Sequence, residues 1–204
     1  EEGAMVEPTA VGLHAVHLAD IKVGTTVLVI GGGIIGLVSA MLAKKQGASL
    51  VVVSETNSSR GAKSVSLGVA DEWYDAKDPD VVSKLMQRTN GGFDVVIECV
   101  GNAPAVNSAL TLVKQGGEVV LVGVSAEPIS MYSVMAVMKE LTLKGAIGYT
   151  KEEFKTCIDL IANKQIDVMK FVDDVISLER VQEAYERLTS GTDSAVKILV
   201  DPNI

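Results

Sequence analysis

Val27-Leu28-Val29-Ile30-Gly31-Gly32-Gly33-Ile34-Ile35-Gly36 decides the fold of this chain. The first four residues are apolar and mostly β-branched, the composition of a strand buried on both faces. Gly31-x-Gly33-x-x-Gly36 follows at once, and Leu37 to Lys45 is a run of good helix formers. Strand, glycine turn and helix in that order form the fingerprint of a dinucleotide-binding unit. In such a unit Gly31 allows the tight turn, Gly33 lets backbone approach a pyrophosphate, and Gly36 lets helix and strand pack closely. The helix start at Ile34 and Ile35 then offers unpaired N–H groups and the positive end of a dipole to the phosphates.

Working outward, Leu50 to Val53 reads as the second strand, and Glu55 stands at its end, 19 positions after Gly36. A carboxylate about 20 residues beyond the glycines is the group that holds the adenosine ribose. It accepts from both ribose hydroxyls but would meet a 2′-phosphate with like charge, so the expected cofactor is NAD(H) and not NADP(H). Two blander readings compete. Val23 to Ala43 carries no charge and is flanked by Lys22, Lys44 and Lys45, as a membrane span would be. Three consecutive glycines in its middle and a β-branched front half argue against that. The other is a glycine turn that binds nothing; strand, turn, helix and acid all agreeing argue against it.

The rest of the chain repeats strand and helix. Pro8 suits the first turn of a helix running to about Asp20. His14 and His17 share a face of it, but with no third ligand at a suggestive spacing they read as packing or surface residues, not a metal pair. Gly47 is a left-handed cap for the helix after the glycine turn. Residues 57–67 read as helical, and Arg60 in the first turn is either a solvated cation or a partner for the adenosine end of a nucleotide. Trp73-Tyr74 is a short third strand. Asp78-Pro79 is an N-cap with proline at the first helical position, followed by the stripe Val81, Val82, Leu85 and Met86. Phe93 to Gly101 is the fourth strand with its exit turn. Its Glu98 and Cys99, with no histidine nearby in sequence, read as structural and not as acid–base or thiol chemistry. Asn102 caps a helix whose inner face is Val106, Ala109, Leu110 and Val113. Gly116-Gly117 turns into the fifth strand, Glu118 to Gly123. Met131, Met135 and Met138 follow at near-helical spacing and suit packing or a subunit contact. Leu141 to Ala146 is the sixth strand.

Six strands with helices between them predict an α/β fold, a doubly wound parallel sheet of order 3-2-1-4-5-6. A cofactor would cross the carboxyl ends of strands one and four. It would touch the loops at Gly31–Gly36, Glu55, Val100–Gly101, Val122–Val124 (through Gly123) and Gly145–Ile147 (with Ala146 at its centre). The last quarter departs from this pattern. Thr150-x-x-Glu153 is a capping box for a helix with Phe154, Cys157, Ile158 and Ile161 inward. Val172 to Ile176 reads as a strand. Ser177 caps a helix with Val181, Ala184, Tyr185 and Leu188 inward, and Ala195 to Val200 is a last strand. The division expected is a lead-in and linking helix over 1–20, a nucleotide domain over 21–148, and a tail over 149–204 belonging to a second, partial domain.

Composition narrows the function classes. The chain has 204 residues, a net charge of −8 and only 4% aromatics, which disfavours nucleic acid as a partner. A hydrophobic content of 48% suits strands buried on both faces. Two cysteines, Cys99 and Cys157, exclude a disulfide scaffold and a four-cysteine zinc site, and fit a reducing compartment such as the cytoplasm. No signal peptide or low-complexity tract is visible. The start at Glu1-Glu2-Gly3 suggests a piece of a longer chain.

The whole chain resembles the zinc-dependent medium-chain alcohol dehydrogenases. The resemblance rests on Glu7-Pro8-x-Ala10, on Val23-Gly24 leading into Val27-x-Val29-x-Gly31-x-Gly33-x-x-Gly36, and on Phe93-Asp94-Val95-Val96-Ile97-Glu98. Gly116-Gly117 with Val122-Gly123, then Lys144-Gly145, continue it. It is closest to the polyol branch, which handles sorbitol, threonine or butanediol. The resemblance implies hydride transfer between a secondary alcohol and NAD, with zinc polarising the oxygen. In such enzymes an N-terminal catalytic domain carries the zinc ligands and the proton relay, so this chain alone would be inactive and no catalytic residue is assigned in it. Glu7 matches a position beside the catalytic zinc of the full-length parent. Val122–Val124 match contacts to the nicotinamide half, Lys197 a basic position near the pyrophosphate, and Arg60 a residue near the adenosine ribose. Family habit also implies a homo-oligomer, a dimer or tetramer, with 128–143 as the contact. Two rivals share these motifs. A zinc-free quinone reductase would have this half but usually prefers NADPH, against Glu55. A non-catalytic NAD-sensing module would have no use for the tail after Thr150.

Overall fold

In the computed structural model, which describes all 204 residues, the opening stretch divides as its composition requires. β1 is Thr26–Ile30 and α2 is Ile34–Gln46, with the glycines between them; a helix that precedes both, α1, is Val6–Leu18. The uncharged run is therefore a strand, a turn and most of a 13-residue helix, and no helix of the chain is long and apolar enough to cross a membrane. Gly47 ends α2 in the left-handed region, φ +115°.

The other strands of the main sheet are β2 (Leu50–Glu55), β3 (Glu72–Asp75), β4 (Phe93–Glu98), β5 (Val113–Leu121) and β6 (Thr142–Gly145). They form one six-stranded sheet of order β3-β2-β1-β4-β5-β6, every pair parallel. The chain passes from β1 out to β3, then crosses back to β4, so a crevice opens at the carboxyl ends of β1 and β4. Register sets those ends level. Ile30 pairs with Ser54 of β2 and with Glu98 of β4, so the residues that follow each leave the sheet at one height.

Alternate side chains of the strands feed two cores. Val27, Val29, Val51, Val53, Val95 and Ile97 face α1, α2 and a later helix, α7 (Lys151–Ala162). Leu28, Ile30, Val52 and Val96 face the other layer, built from α4 (Val81–Arg88) and α5 (Ala103–Leu112). Burying each such side chain contributes on the order of 1.5–3 kcal/mol, which is why these strands read as unbroken apolar runs. The first core also takes in Cys157 and Ile161 of α7, with Phe171 and Leu199 beyond it, so the tail shares the core of the sheet. The tail adds a separate parallel pair, β7 (Asp174–Ile176) with β8 (Ile198–Val200).

Five local expectations are corrected. Val113 is not on the inner face of α5 but opens β5, paired with Phe93; the ladder then slips, and residues 114–117 leave the pairing, the first three of them exposed, before Glu118 pairs with Val95. Asp78 does not cap α4. It makes a turn, accepting from the Asp80 N–H at 2.8 Å, and the helix starts at Val81. Met131 lies outside α6 (Ser133–Met138); only Met135 of the three methionines packs on a core, and the other two are exposed. In α7, Ile158 is exposed while Cys157 and Ile161 are buried. In α8 (Val181–Thr189), Ala184 is buried and Leu188 packs beside it, whereas Val181 and Tyr185 face out. The two-stranded sheet is too small to cover a full helical stripe, so α8 buries only its centre.

Candidate functional site

The turn after β1 is shaped by what its glycines leave out. Gly31 sits at φ +102°, in the left-handed region that favours glycine, and its N–H donates to Ser54 O at 2.8 Å. A Cβ on Gly36 would stand 1.9 Å from Gly31 O, so the first turn of α2 lies directly on the end of β1. A Cβ on Gly33 would meet nothing within 4 Å, so this backbone is bare toward open space. The first bond of α2 is Leu37 N–H to Gly33 O, which leaves Ile34, Ile35 and Gly36 as the helix's free donors. Bare backbone and free N–H groups at a helix start are what a diphosphate needs.

Glu55 closes one side of this turn. It is 9% exposed, and its Oε2 accepts from the Gly32 N–H at 2.5 Å. Its Oε1 accepts from the N–H groups of Thr56 at 2.6 Å and Asn57 at 2.8 Å. Asn57 in turn caps α3 (Ser58–Ser66), its side chain accepting from Ser59 and Arg60. That cap throws Arg60 back toward the acid, where its Nε is buried with no partner. A cleft of about 490 Å³ runs from this pair across the sheet ends. Gly31, Gly33, Glu55, Arg60 and Val100 line it, together with Cys99. Its far wall is apolar and comes from Val81, Val82, Pro104 and Ala105. A groove with a carboxylate and a guanidinium at one end, bare amides in the middle and aliphatic walls fits a nucleotide with its sugar at the charged end.

The expected contacts do not all gather there. Gly36 supports the turn from behind. Gly101, at φ +81°, and Gly123 press together: a Cβ on Gly123 would fall 2.1 Å from Gly101 N. Val122, Gly123, Val124, Ala146 and Lys197 lie outside the cleft wall. Val122 and Ala146 pack on the first core, while Val124 is 76% exposed. Lys197 is half-buried between β7 and β8, its carbonyl accepting from Asp173 N–H at 2.8 Å. Glu7 stands exposed on α1.

Other chemistry-bearing residues take structural positions. Burial and the adjoining Glu98 carboxylate push the Cys99 thiol up, against the Ser39 hydroxyl, so it is held as a thiol and not as a nucleophile. His14 and His17 converge through Nδ1 on Glu153 of α7, each within 3.0 Å of one of its oxygens. Burial raises the cost of charge on Glu153, but the Thr150 N–H and the two imidazoles outweigh it and hold the carboxyl down to about 2. This clamp was not visible in the sequence, because α1 and α7 are about 140 residues apart; its one local sign was the capping box at Thr150–Glu153, which the structure contains. The apolar wall residues Val81 and Val82 carried no local sign of the cleft, since they read only as an apolar stripe. No group of three or more His, Cys, Asp and Glu side chains is placed to hold a metal ion.

A model of the family described as "Zinc-binding dehydrogenase" matches residues 35–163. The chain belongs to the zinc-binding dehydrogenase family. Over its whole length it is 34% identical to an (R,R)-butanediol dehydrogenase of Neisseria gonorrhoeae, covering 58% of that protein. It is 35% identical to a sorbitol dehydrogenase of Bos taurus, covering all of this chain and 57% of that one. Among solved structures it superposes on the 2R,3R-butanediol dehydrogenase of Bacillus subtilis with a TM-score of 0.86 and 33% identity, over 98% of this chain and 57% of that one. A protein described as a zinc-binding dehydrogenase from Sinorhizobium meliloti 1021, bound to NADP, matches with a TM-score of 0.87 and 33% identity, over 98% of this chain and 59% of the other. The chain thus spans less than two thirds of these members of the zinc-binding dehydrogenase family. With them it shares the six-stranded doubly wound sheet, and the family is one of dehydrogenases.

Proposed function

We propose that this chain is the NAD(H)-binding part of an alcohol or polyol dehydrogenase, one that moves hydride between a secondary alcohol and NAD. The observation that carries the reading is the Glu55 carboxylate, held at the end of β2 beside the turn of Gly31 to Gly36 and facing the cleft. Gly33, Ile34 and Ile35 bind the diphosphate through backbone N–H groups. Glu55 takes the ribose hydroxyls, Arg60 lies along the adenosine, and Val82 with Pro104 excludes water from the base. Bound NAD supplies the hydride acceptor. Residues 21–148 form the nucleotide domain, 1–20 the link and 149–204 the tail of a second domain. Val122–Val124, Ala146 and Lys197 engage the cofactor only when the rest of the parent covers the open half. These 204 residues offer no ligand set that would hold zinc. Glu7, exposed on α1, is left to approach a zinc held elsewhere in the parent.

Calorimetry with both cofactors tests the choice, which the NADP-bound relative makes pointed. A 2′-phosphate would bring like charge against a nearly buried Glu55, so NADH is expected to bind at least about tenfold more tightly. Equal or tighter NADPH binding overturns the reading. The purified chain is expected to show no turnover of butanediol, sorbitol or threonine. We also propose a homodimer through α6 and β6, because β6 is an edge strand and Tyr132, Val134, Val137 and Met138 beside it are exposed. Light scattering showing a monomer at micromolar concentration removes it.

A further inference from the structure

We propose that Glu98 is the positioning residue of the cleft's inner wall, fixing the exit turns of β4 and β5 as one unit. It does so as a hydrogen-bond acceptor. Glu98 is fully buried at the end of β4. One carboxylate oxygen, Oε1, accepts from both Val100 N–H at 2.7 Å and Gly101 N–H at 2.9 Å. Its main-chain oxygen accepts from Val122 N–H at 2.8 Å and Gly123 N–H at 2.9 Å. A single residue therefore holds four N–H groups, two from each turn. The turns it joins have no slack. A Cβ on Gly101 would stand 2.6 Å from Val124 N, and one on Gly123 would stand 2.1 Å from Gly101 N. Val100 passes the placement on: its Cγ2 lies where a Cβ on Gly31 would come within 2.9 Å, so it packs against the pyrophosphate turn itself. The sequence from Glu98 to Val100 to Gly31 is continuous contact from a buried carboxyl to the cleft wall.

The second oxygen, Oε2, is buried with no hydrogen-bond partner. Nothing in the structure uses it, and no cation faces it. The work is done by Oε1 alone, and a neutral amide oxygen of the same reach can do it. This separates acceptor geometry from charge, and a pair of substitutions reads the difference.

The inference rests on the cofactor reading for its functional consequence, so two readouts are taken on the 204-residue protein. One is NADH affinity by calorimetry; the other is amide hydrogen exchange at Val100 and Gly101, which needs no cofactor. Glu98→Leu keeps the bulk and removes the acceptor. It is expected to weaken NADH at least tenfold and to speed exchange at both amides at least a hundredfold, with β1 and β2 still protected. Glu98→Gln is expected to stay within threefold of the parent in affinity and to keep both amides protected. If Glu98→Leu does not fold, Glu98→Met replaces it with the same expectation. Parent-like affinity and protection in the apolar variant overturn the proposal, and so does a Gln variant as impaired as the Leu one. If the parent chain binds no NADH, the cofactor reading fails by itself; the exchange data alone then decide the role of Glu98, supporting it if only the apolar variant loses protection and overturning it otherwise.

Discussion

The two halves of the sheet's carboxyl edge are built differently. At β1 and β2 the edge is finished: Glu55 is nearly buried and bonded to three backbone N–H groups, the glycine turn is locked against α2, and a walled cleft results. At β5 and β6 it is open: Val124 is 76% exposed and Ile147 is 82% exposed, and neither lines the cleft. Buried, fully bonded polar groups hold their positions without a ligand; exposed aliphatic loops acquire theirs from whatever covers them. On the proposed reading, the finished half would hold the adenosine diphosphate end by itself, and the open half would supply only one face for the nicotinamide end.

The contrast breaks first at Gly36. A methyl placed 1.9 Å from Gly31 O has no flexible neighbour to displace, only backbone. Gly36→Ala is expected to cost about 3 kcal/mol or more in urea unfolding, with NADH binding lost along with it. Normal stability in that variant would mean the turn is loose and the finished half is no more rigid than the open one. Glu55 comes next. Glu55→Gln halves the acceptor capacity that the Gly32, Thr56 and Asn57 N–H groups now share, and removes the like charge facing a 2′-phosphate. NADH is expected to weaken by about ten- to a hundredfold while NADPH weakens less, so that calorimetry shows the preference shrinking. An unchanged ratio between the two would show that Glu55 does not set it.

Most of the finished half was legible from sequence because its signals are local. The glycine spacing and the Asn102 cap act within a few residues of themselves, and the carboxylate stands at a fixed 19 positions beyond Gly36. Strand order followed from the same motif once helices alternated with strands. What could not be read depends on distant pairing. The bulge at 114–117 arises because β5 must meet Phe93 and Val95 of β4 in one ladder, which no local pattern records. Lys139 looks like an ordinary surface cation, yet its ammonium donates to the carbonyls of Thr111 at 2.5 Å and Val113 at 2.8 Å and closes the end of α5. The stripe at Val181 and Tyr185 has correct helical spacing and no partner wide enough to bury it.

Acid sharpens the comparison on the open side. The segment leaving β6 is tied down where Thr150 and Glu153 begin α7, and Glu153 in turn grips His14 and His17 of α1. Its carboxyl is held down to about 2 in the folded chain, below the usual carboxylate range. A group depressed by folding stabilises above its unfolded pKa of about 4.3 and loses that contribution as pH falls through its folded one. Stability is therefore expected to drop by on the order of 2 kcal/mol between about pH 5 and pH 2 through this group, and the drop should be smaller in Glu153→Gln. Urea midpoints across that range measure it; identical acid sensitivity in the two proteins would place the titration elsewhere.

The smallest effect belongs to Val124. In a finished half, trimming an aliphatic wall residue leaves a cavity or loosens a ligand, and Val82→Ala in the cleft wall is expected to weaken NADH by about 1 kcal/mol. Val124 is surrounded by solvent on most of its surface, so Val124→Ala removes little buried area from the chain as it stands: stability within about 0.5 kcal/mol and NADH affinity within about threefold. The two alanine variants remove the same two methyl groups, one pair from the cleft wall on α4 and the other from the loop after β5. If Val124→Ala costs as much NADH affinity as Val82→Ala, the nicotinamide end is already engaged in this chain, and the division between a self-sufficient half and an open one does not hold.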